Sequence, residues 1–263
     1  MGSGLVKINF KNMLKKYFVL SGGGCRGFAH LGVVKALNEH GIFPKEIAGA
    51  SAGALAGAFL ANGFTPDEIK EMVLKKLKSK IFAWNGLKSG LASMKYIRGF
   101  VLNNLRYTKF EDLPIPFYAT ATNFETGRQY IFSKGNIIDA LIASCSVPVL
   151  FPPVVINGTP YVDGGLSNNL PVDPFNNRKQ DVISVHVNPL KKQFNSKEKF
   201  IETIDRTLSL SFKEMVGRSS EGCFLFVEPP GLNKFSLFDT HRLPDIFETG
   251  YQFTKELLQK SSF

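Results

Sequence analysis

Tyr17-Phe18-Val19-Leu20-Ser21-Gly22-Gly23-Gly24-Cys25-Arg26-Gly27 decides the fold. Its first four residues are apolar without polar alternation, as in a short strand covered on both faces. Ser21 and three glycines stop that strand. A helical pattern follows through Phe28, Leu31, Val34 and Leu37, and Gly41 closes it. A second short strand over 46–50 runs into Ser51, and another helix carries Leu55, Phe59 and Leu60 to Asn62-Gly63. Strand, helix, strand, helix at this spacing predicts an α/β fold in three layers, α/β/α, around a central and mostly parallel sheet.

Outward from this unit, Thr65-Pro66-Asp67-Glu68 reads as a helix start, with Thr65 as cap and Glu68 three residues on. From there to Arg106 the chain reads helical and basic, broken at Asn85-Gly86 and Ser89-Gly90. Strands are expected at 117–123, 129–132, 181–187 and 223–227. Helices are expected at 137–144 and, in the last third, at about 197–216 and 240–260. No linker divides the 263 residues, so one domain spans 1–263, with 66–110 as a basic, cap-like helical segment inside it.

Composition narrows the class. With 44% apolar and 21% charged residues, disorder, collagen and coiled coil are excluded as global readings. No apolar run approaches the roughly 18 residues of a membrane span, so a soluble protein is expected. The net charge of +10 is concentrated in the first twenty residues and in 66–110, where Trp84 and Phe82 stand among lysines. A solvated face is the ordinary explanation of such a block. The aromatic neighbours favour transient contact with an anionic membrane surface over nucleic acid, for which no fold signature is present. Cys25, Cys145 and Cys223 form neither a pair nor a CxxC motif, so no disulfide framework, metal site or cofactor is implied. The expected location is cytoplasmic, or peripheral at a membrane. Met1-Gly2-Ser3-Gly4 resembles a cloning scar and leaves room for a removed leader; a homodimer is left open.

Three motifs could carry chemistry. Gly49-Ala50-Ser51-Ala52-Gly53 matches G-x-S-x-G at a strand–helix junction, the context in which a tight turn of small residues presents a serine hydroxyl. Gly22, Gly24 and Gly27 satisfy a dinucleotide fingerprint. That reading also demands an acid at the end of the second strand, where Ser51 stands instead. A glycine loop at a helix start binds anions generally, and beside a serine nucleophile the anion is a tetrahedral oxyanion. Asp163-Gly164-Gly165 alone reads as an ordinary turn. It gains weight because Ser51 needs a base. His30, His40, His186 and His241 are the available histidines, none compelling, and a carboxylate that takes the proton directly is the alternative.

Taken together, these residues resemble the patatin-like phospholipases, lipid acyl hydrolases with a Gly-Gly-Gly-x-Arg-Gly loop, a G-x-S-x-G elbow and an Asp-Gly-Gly/Ala motif. Here these are Gly22–Gly27, Gly49–Gly53 and Asp163–Gly165. The stretch Ser144–Pro153 looks like the family's proline-containing block, and Asn168, Asn169 and Pro171 fit as well. The resemblance implies Ser51 as nucleophile and Asp163 as general base. It implies an oxyanion hole from Gly22, Gly23 and Gly24 with Arg26 beside it, and no catalytic histidine. The function it implies is hydrolysis of a phospholipid or other acyl-ester lipid. The alternatives are an acyltransferase using the same acyl-enzyme, disfavoured because Ala50 stands where such enzymes carry histidine, and a non-catalytic lipid-binding scaffold. Segment 66–110 would gate the site.

Overall fold

The computed structural model describes residues 13–78, 90–190 and 200–260. Strands are β1 (Leu14–Leu20), β2 (Ile42–Ala50), β3 (Phe117–Asn123), β4 (Gln129–Phe132), β5 (Val154–Ile156), β6 (Thr159–Asp163), β7 (Val182–Val185) and β8 (Leu225–Val227). Helices are α1 (Ala29–Glu39), α2 (Ala52–Ala61), α3 (Pro66–Lys78), α4 (Gly90–Asn104), α5 (Ile137–Ser144), α6 (Gly165–Asn168), α7 (Phe200–Ser220) and α8 (Leu243–Lys260).

β3, β2, β1, β7 and β8 run parallel in that order, which is the expected core of the sheet. Alternation along β1 shows why its run is wholly apolar. Phe18 and Leu20 join the larger core under α1, α2 and α8, whereas Tyr17 and Val19 pack on the other face with Leu170, Val172, Phe175 and Val216 of α7.

One edge of the sheet departs from the parallel pattern. β4 and β6 each run antiparallel to β3, and β5 pairs antiparallel with β6. β4 shares Ala119 and Thr120 of β3 with β2, and Ala121 and Thr122 with β6. Two strands that pair with the same residues must flank them on opposite sides. β2 and β6 therefore lie on the same side of β3, in line, and meet end to end. Ala50 pairs with Thr120 and Asp163 with Ala121, so adjacent residues of β3 set the ends of β2 and β6 next to each other.

The described part of 66–110 forms α3 and α4. The Thr65–Glu68 capping box forms as read, with Thr65 N–H donating to Glu68 Oε2 at 2.7 Å and Glu68 N–H to Thr65 Oγ1 at 3.2 Å. Ile69 of α3 and Met94 and Val101 of α4 are buried in the main core. The Phe100 ring lies 5.5 Å from that of Phe59, and Arg98 bonds Asp139 of α5 at 2.8 Å. Apolar residues at helical spacing seat these helices on the body of the domain, and no described residue of 66–110 lines the cleft below. Phe82 and Trp84 lie outside the described residues, as does Met1–Gly4.

Candidate active site

The C-terminal ends of β1 and β2 are adjacent, with Leu20 paired to Gly49, so the glycine loop and the serine turn emerge side by side. Ser51 is the turn between β2 and α2 and adopts φ 50°, ψ −122°. For a residue with a Cβ this backbone is strained by about 1–3 kcal/mol. Packing imposes it. A methyl group on Gly53 would collide with the carbonyl oxygens of Leu20 and Ser21, and one on Gly49 would stand 2.5 Å from the Gly53 carbonyl oxygen. The G-x-S-x-G spacing thus reports two close backbone approaches, of α2 to the end of β1 at Gly53 and of α2 to β2 at Gly49. Ser51 N–H donates to Ser144 Oγ at 2.9 Å, and Ser144 Oγ–H donates to Thr120 O at 2.6 Å.

Asp163 closes β6 and is buried. Its Oδ1 accepts the Gly165 N–H at 2.8 Å, while Oδ2 is buried without a hydrogen-bond partner among the described residues. Burial raises its pKa to about 6, against the opposing pull of the Ser51 hydroxyl and the Gly165 amide. Serine and carboxylate are therefore near enough to interact without a hydrogen bond of normal geometry, a common state in a site without substrate. Backbone bonds from Asp163 N to Ser146 O (2.9 Å) and from Gly164 N to Ser144 O (3.2 Å) tie the aspartate turn to the segment after α5 that also holds Ser51.

The glycine loop divides its amides. Gly22 N–H donates to Asn169 O at 3.1 Å, so it is engaged within the protein and is not free for an oxyanion. Gly23 and Gly24 have no protein acceptor for their amides among the described residues, and both line the cleft. Arg26 is a support. It is 2% exposed and absent from the cleft lining, with Nε donating to Phe235 O at 2.8 Å and Nη1 to Asn188 Oδ1 at 3.3 Å. Asn188 Nδ2 in turn donates to Gly22 O at 2.7 Å. Its guanidinium braces the loop from beneath, because a buried cation is kept where carbonyl and amide oxygens surround it.

Ser51, Asp163 and Gly22–Gly24 share one open cleft, with apolar walls from Val147, Leu166, Leu208, Phe212 and Leu237. Leu208, Ser209 and Phe212 come from α7, the helix that covers this end of the sheet. Sequence periodicity gave α7 as a helix but carried no signal that it walls the site.

None of the four histidines enters the cleft. His30 is fully buried with Nε2 on Ser21 O at 2.8 Å, and burial lowers its pKa to about 4. His186 pairs with Glu228 at 2.8 Å, and His40 Nδ1 meets Ala36 O. The Cys145 thiol lies beside Ser51 and Asp163, but burial pushes its pKa far above the thiol range, so it stays protonated. Among the described residues no cluster of three metal-ligating side chains occurs.

Fold and site together define an α/β protein with a serine elbow on a parallel sheet and an aspartate delivered by an antiparallel edge. The profile of the patatin-like phospholipases matches residues 18–176, and the chain belongs to that family of lipid acyl hydrolases. It is 30% identical to lysophospholipase nte1 of Aspergillus terreus over 92% of this chain and 18% of that protein. It is 35% identical to an uncharacterized NTE family protein of Mycobacterium tuberculosis over 59% of this chain and 27% of the relative. The chain thus spans from under a fifth to just over a quarter of the length of these relatives. VipD from Legionella pneumophila shares the fold, with TM-score 0.54 at 16% identity over 93% of this chain and 66% of VipD.

Proposed function

We propose that the chain is a serine acyl hydrolase acting on carboxylic esters of membrane lipids, of the phospholipase A, lysophospholipase or esterase type. The observation that carries the reading is Asp163. A buried carboxylate with a raised pKa and an unpartnered Oδ2 stands beside a strained serine in a cleft roofed by apolar side chains. An ordinary carboxylate is too weak a base for a serine; burial moves it toward the working pH.

In this mechanism Ser51 Oγ attacks the ester carbonyl carbon and its proton passes to Asp163 Oδ2. The carbonyl electron pair moves onto oxygen, which the Gly23 and Gly24 amides receive at the positive end of α2. Collapse expels the alcohol, which takes the proton from Asp163. Asp163 then deprotonates a water that attacks the acyl-enzyme, releasing the fatty acid and restoring Ser51. The apolar walls supply room for an acyl chain.

Peripheral contact with an anionic membrane belongs to the same proposal, supported by the net charge of +10. Among the described residues no helix is long and apolar enough to cross a membrane. The test follows fatty-acid release from lysophospholipid micelles and hydrolysis of a short-chain nitrophenyl ester by wild type, Ser51→Ala and Asp163→Asn, each checked for fold by circular dichroism. Folded, inactive variants are expected. A folded Ser51→Ala with wild-type activity overturns the reading, and acyl transfer to an added alcohol in place of water redirects it to a transferase.

A further inference from the structure

Asn169 is 1% exposed, yet it contributes to the cleft lining. Its backbone is held at both ends: the carbonyl accepts Gly22 N–H at 3.1 Å and the N–H meets Met215 Sδ at 3.2 Å. Its side chain is not. Nδ2 is buried without an acceptor among the described residues. Oδ1 lies 2.5 Å from the point a Cβ on Gly22 would occupy, and Ser51 Cβ is 3.2 Å from that same point. Oδ1 also lies 2.9 Å from the point a Cβ on Gly165 would occupy, where Asp163 Oδ1 is 3.0 Å away. The absent side chains of these two motif glycines leave room for a single carboxamide, whose oxygen shares one of these points with Ser51 Cβ and the other with Asp163 Oδ1.

A buried amide with an unused donor is unfavourable unless a partner arrives in some other state of the site. The terminal torsion of asparagine is broad and two-fold, so a half-turn brings Nδ2 to the position of Oδ1 beside Ser51. The same residue occupies the Gly22 amide through its backbone carbonyl, removing one loop donor, while its carboxamide oxygen stands next to the reaction centre.

We propose that Asn169 is a further catalytic residue, whose carboxamide donates a hydrogen bond to the ester carbonyl oxygen as it becomes an oxyanion, alongside Gly23 and Gly24. The proposal rests on the acyl-enzyme reading above. Ser51 Oγ bonds to the carbonyl carbon, the π pair moves to oxygen, and the serine proton goes to Asp163. The Asn169 N–H strengthens its bond to that oxygen without transferring its proton.

The test compares wild type, Asn169→Ala, Asn169→Asp and Ser51→Ala on a short-chain nitrophenyl ester. Each is also inhibited by an alkyl trifluoromethyl ketone, which adds Ser51 to form the same oxyanion, and by the matching alkane, which cannot. For Asn169→Ala, kcat/KM should fall about 100- to 1000-fold, the cost of one oxyanion donor. The inhibition constant of the ketone should rise by a similar factor, while that of the alkane changes less than threefold. A merely structural asparagine would lower the melting temperature without moving the ratio of the two inhibition constants. The proposal is overturned if Asn169→Ala stays within threefold of wild type, or if its rate falls with that ratio unchanged. Should the alanine variant not fold, Asn169→Asp decides. It keeps the volume and loses the donor when ionised, so activity within threefold of wild type at pH 8 overturns the proposal. A Ser51→Ala that keeps activity removes the acyl-enzyme reading instead, and the proposal with it.

Discussion

Ser51 and Asp163 stand next to each other, and the fold stores energy in them differently. Ser51 is only partly buried, and its cost lies in the backbone, at φ 50° on a residue with a side chain. Asp163 ends an ordinary strand, and its cost is electrostatic: a carboxyl removed from water with one oxygen unpaired. The serine is aimed by close packing of small residues. The aspartate is made basic by exclusion of solvent. Each device suits the group's part in the proposed reaction, since a nucleophile needs direction and a base needs a raised pKa.

The largest effect should come from Ser51. Ser51→Ala is expected to cut kcat for the nitrophenyl ester by at least about a thousandfold, because the elbow serine beside Asp163 is the group that carries the acyl chain in the proposed reaction. Ser51→Gly should be equally inactive and melt higher than Ser51→Ala, because glycine tolerates the turn's backbone without strain. Equal melting temperatures for the two would break the strain half of the comparison.

Asp163→Asn is expected to cost about as much in rate while raising stability at neutral pH. The sign follows from the shift. Asp163 titrates near 6 in the folded protein and near 4 when unfolded, so between those values the folded state holds more protons. Its contribution to stability is full below pH 4, falls as pH rises to 6, and is a net cost above. The asparagine variant should therefore melt higher than wild type at pH 7 and match it near pH 4. Thermal melts at the two pH values check this. The wild-type kcat/KM should fall on the acid side with an apparent pKa near 6; a limb near 4 would place the base in an ordinary aqueous environment.

Ser144→Ala tests the link between the halves. Its hydroxyl accepts the Ser51 amide and its carbonyl accepts Gly164 N–H. Loss of the hydroxyl should lower kcat about tenfold with KM unchanged, and lower stability by about 1–2 kcal/mol by denaturant melts. Wild-type kcat in a folded variant would show that the turn holds its shape from Gly49 and Gly53 alone.

The two halves were not equally legible. The serine turn and the glycine loop each lie within one strand–turn–helix passage, so local pattern exposed both, although β1 and β2 begin earlier, at Leu14 and Ile42, than the apolar runs over 17–20 and 46–50. Asp163 lies 112 residues beyond Ser51, and among the alternatives the sequence left open it was singled out as base by the resemblance to a family. A local signal for its strand was present. Asn157-Gly158, both at positive φ, makes the tight turn that pairs Ile156 with Thr159. The partners of the Gly22 amide and the Arg26 guanidinium could not be read from sequence, because Asn169 and Phe235 lie over a hundred residues away.

The amino-acid order alone determined the α/β class, the strand-to-helix turn at Ser51, the glycine loop and the basic balance of the chain. These follow from hydrophobic period and from residues small enough for close backbone approach, which neighbours in sequence suffice to express. Only the tertiary structure decided that β6 lies in line with β2, that α7 helps to wall the cleft, and that the Asp163 carboxyl is desolvated. Burial and register are properties of what packs against a residue, and here those partners come from β3, α5 and α7, far along the chain.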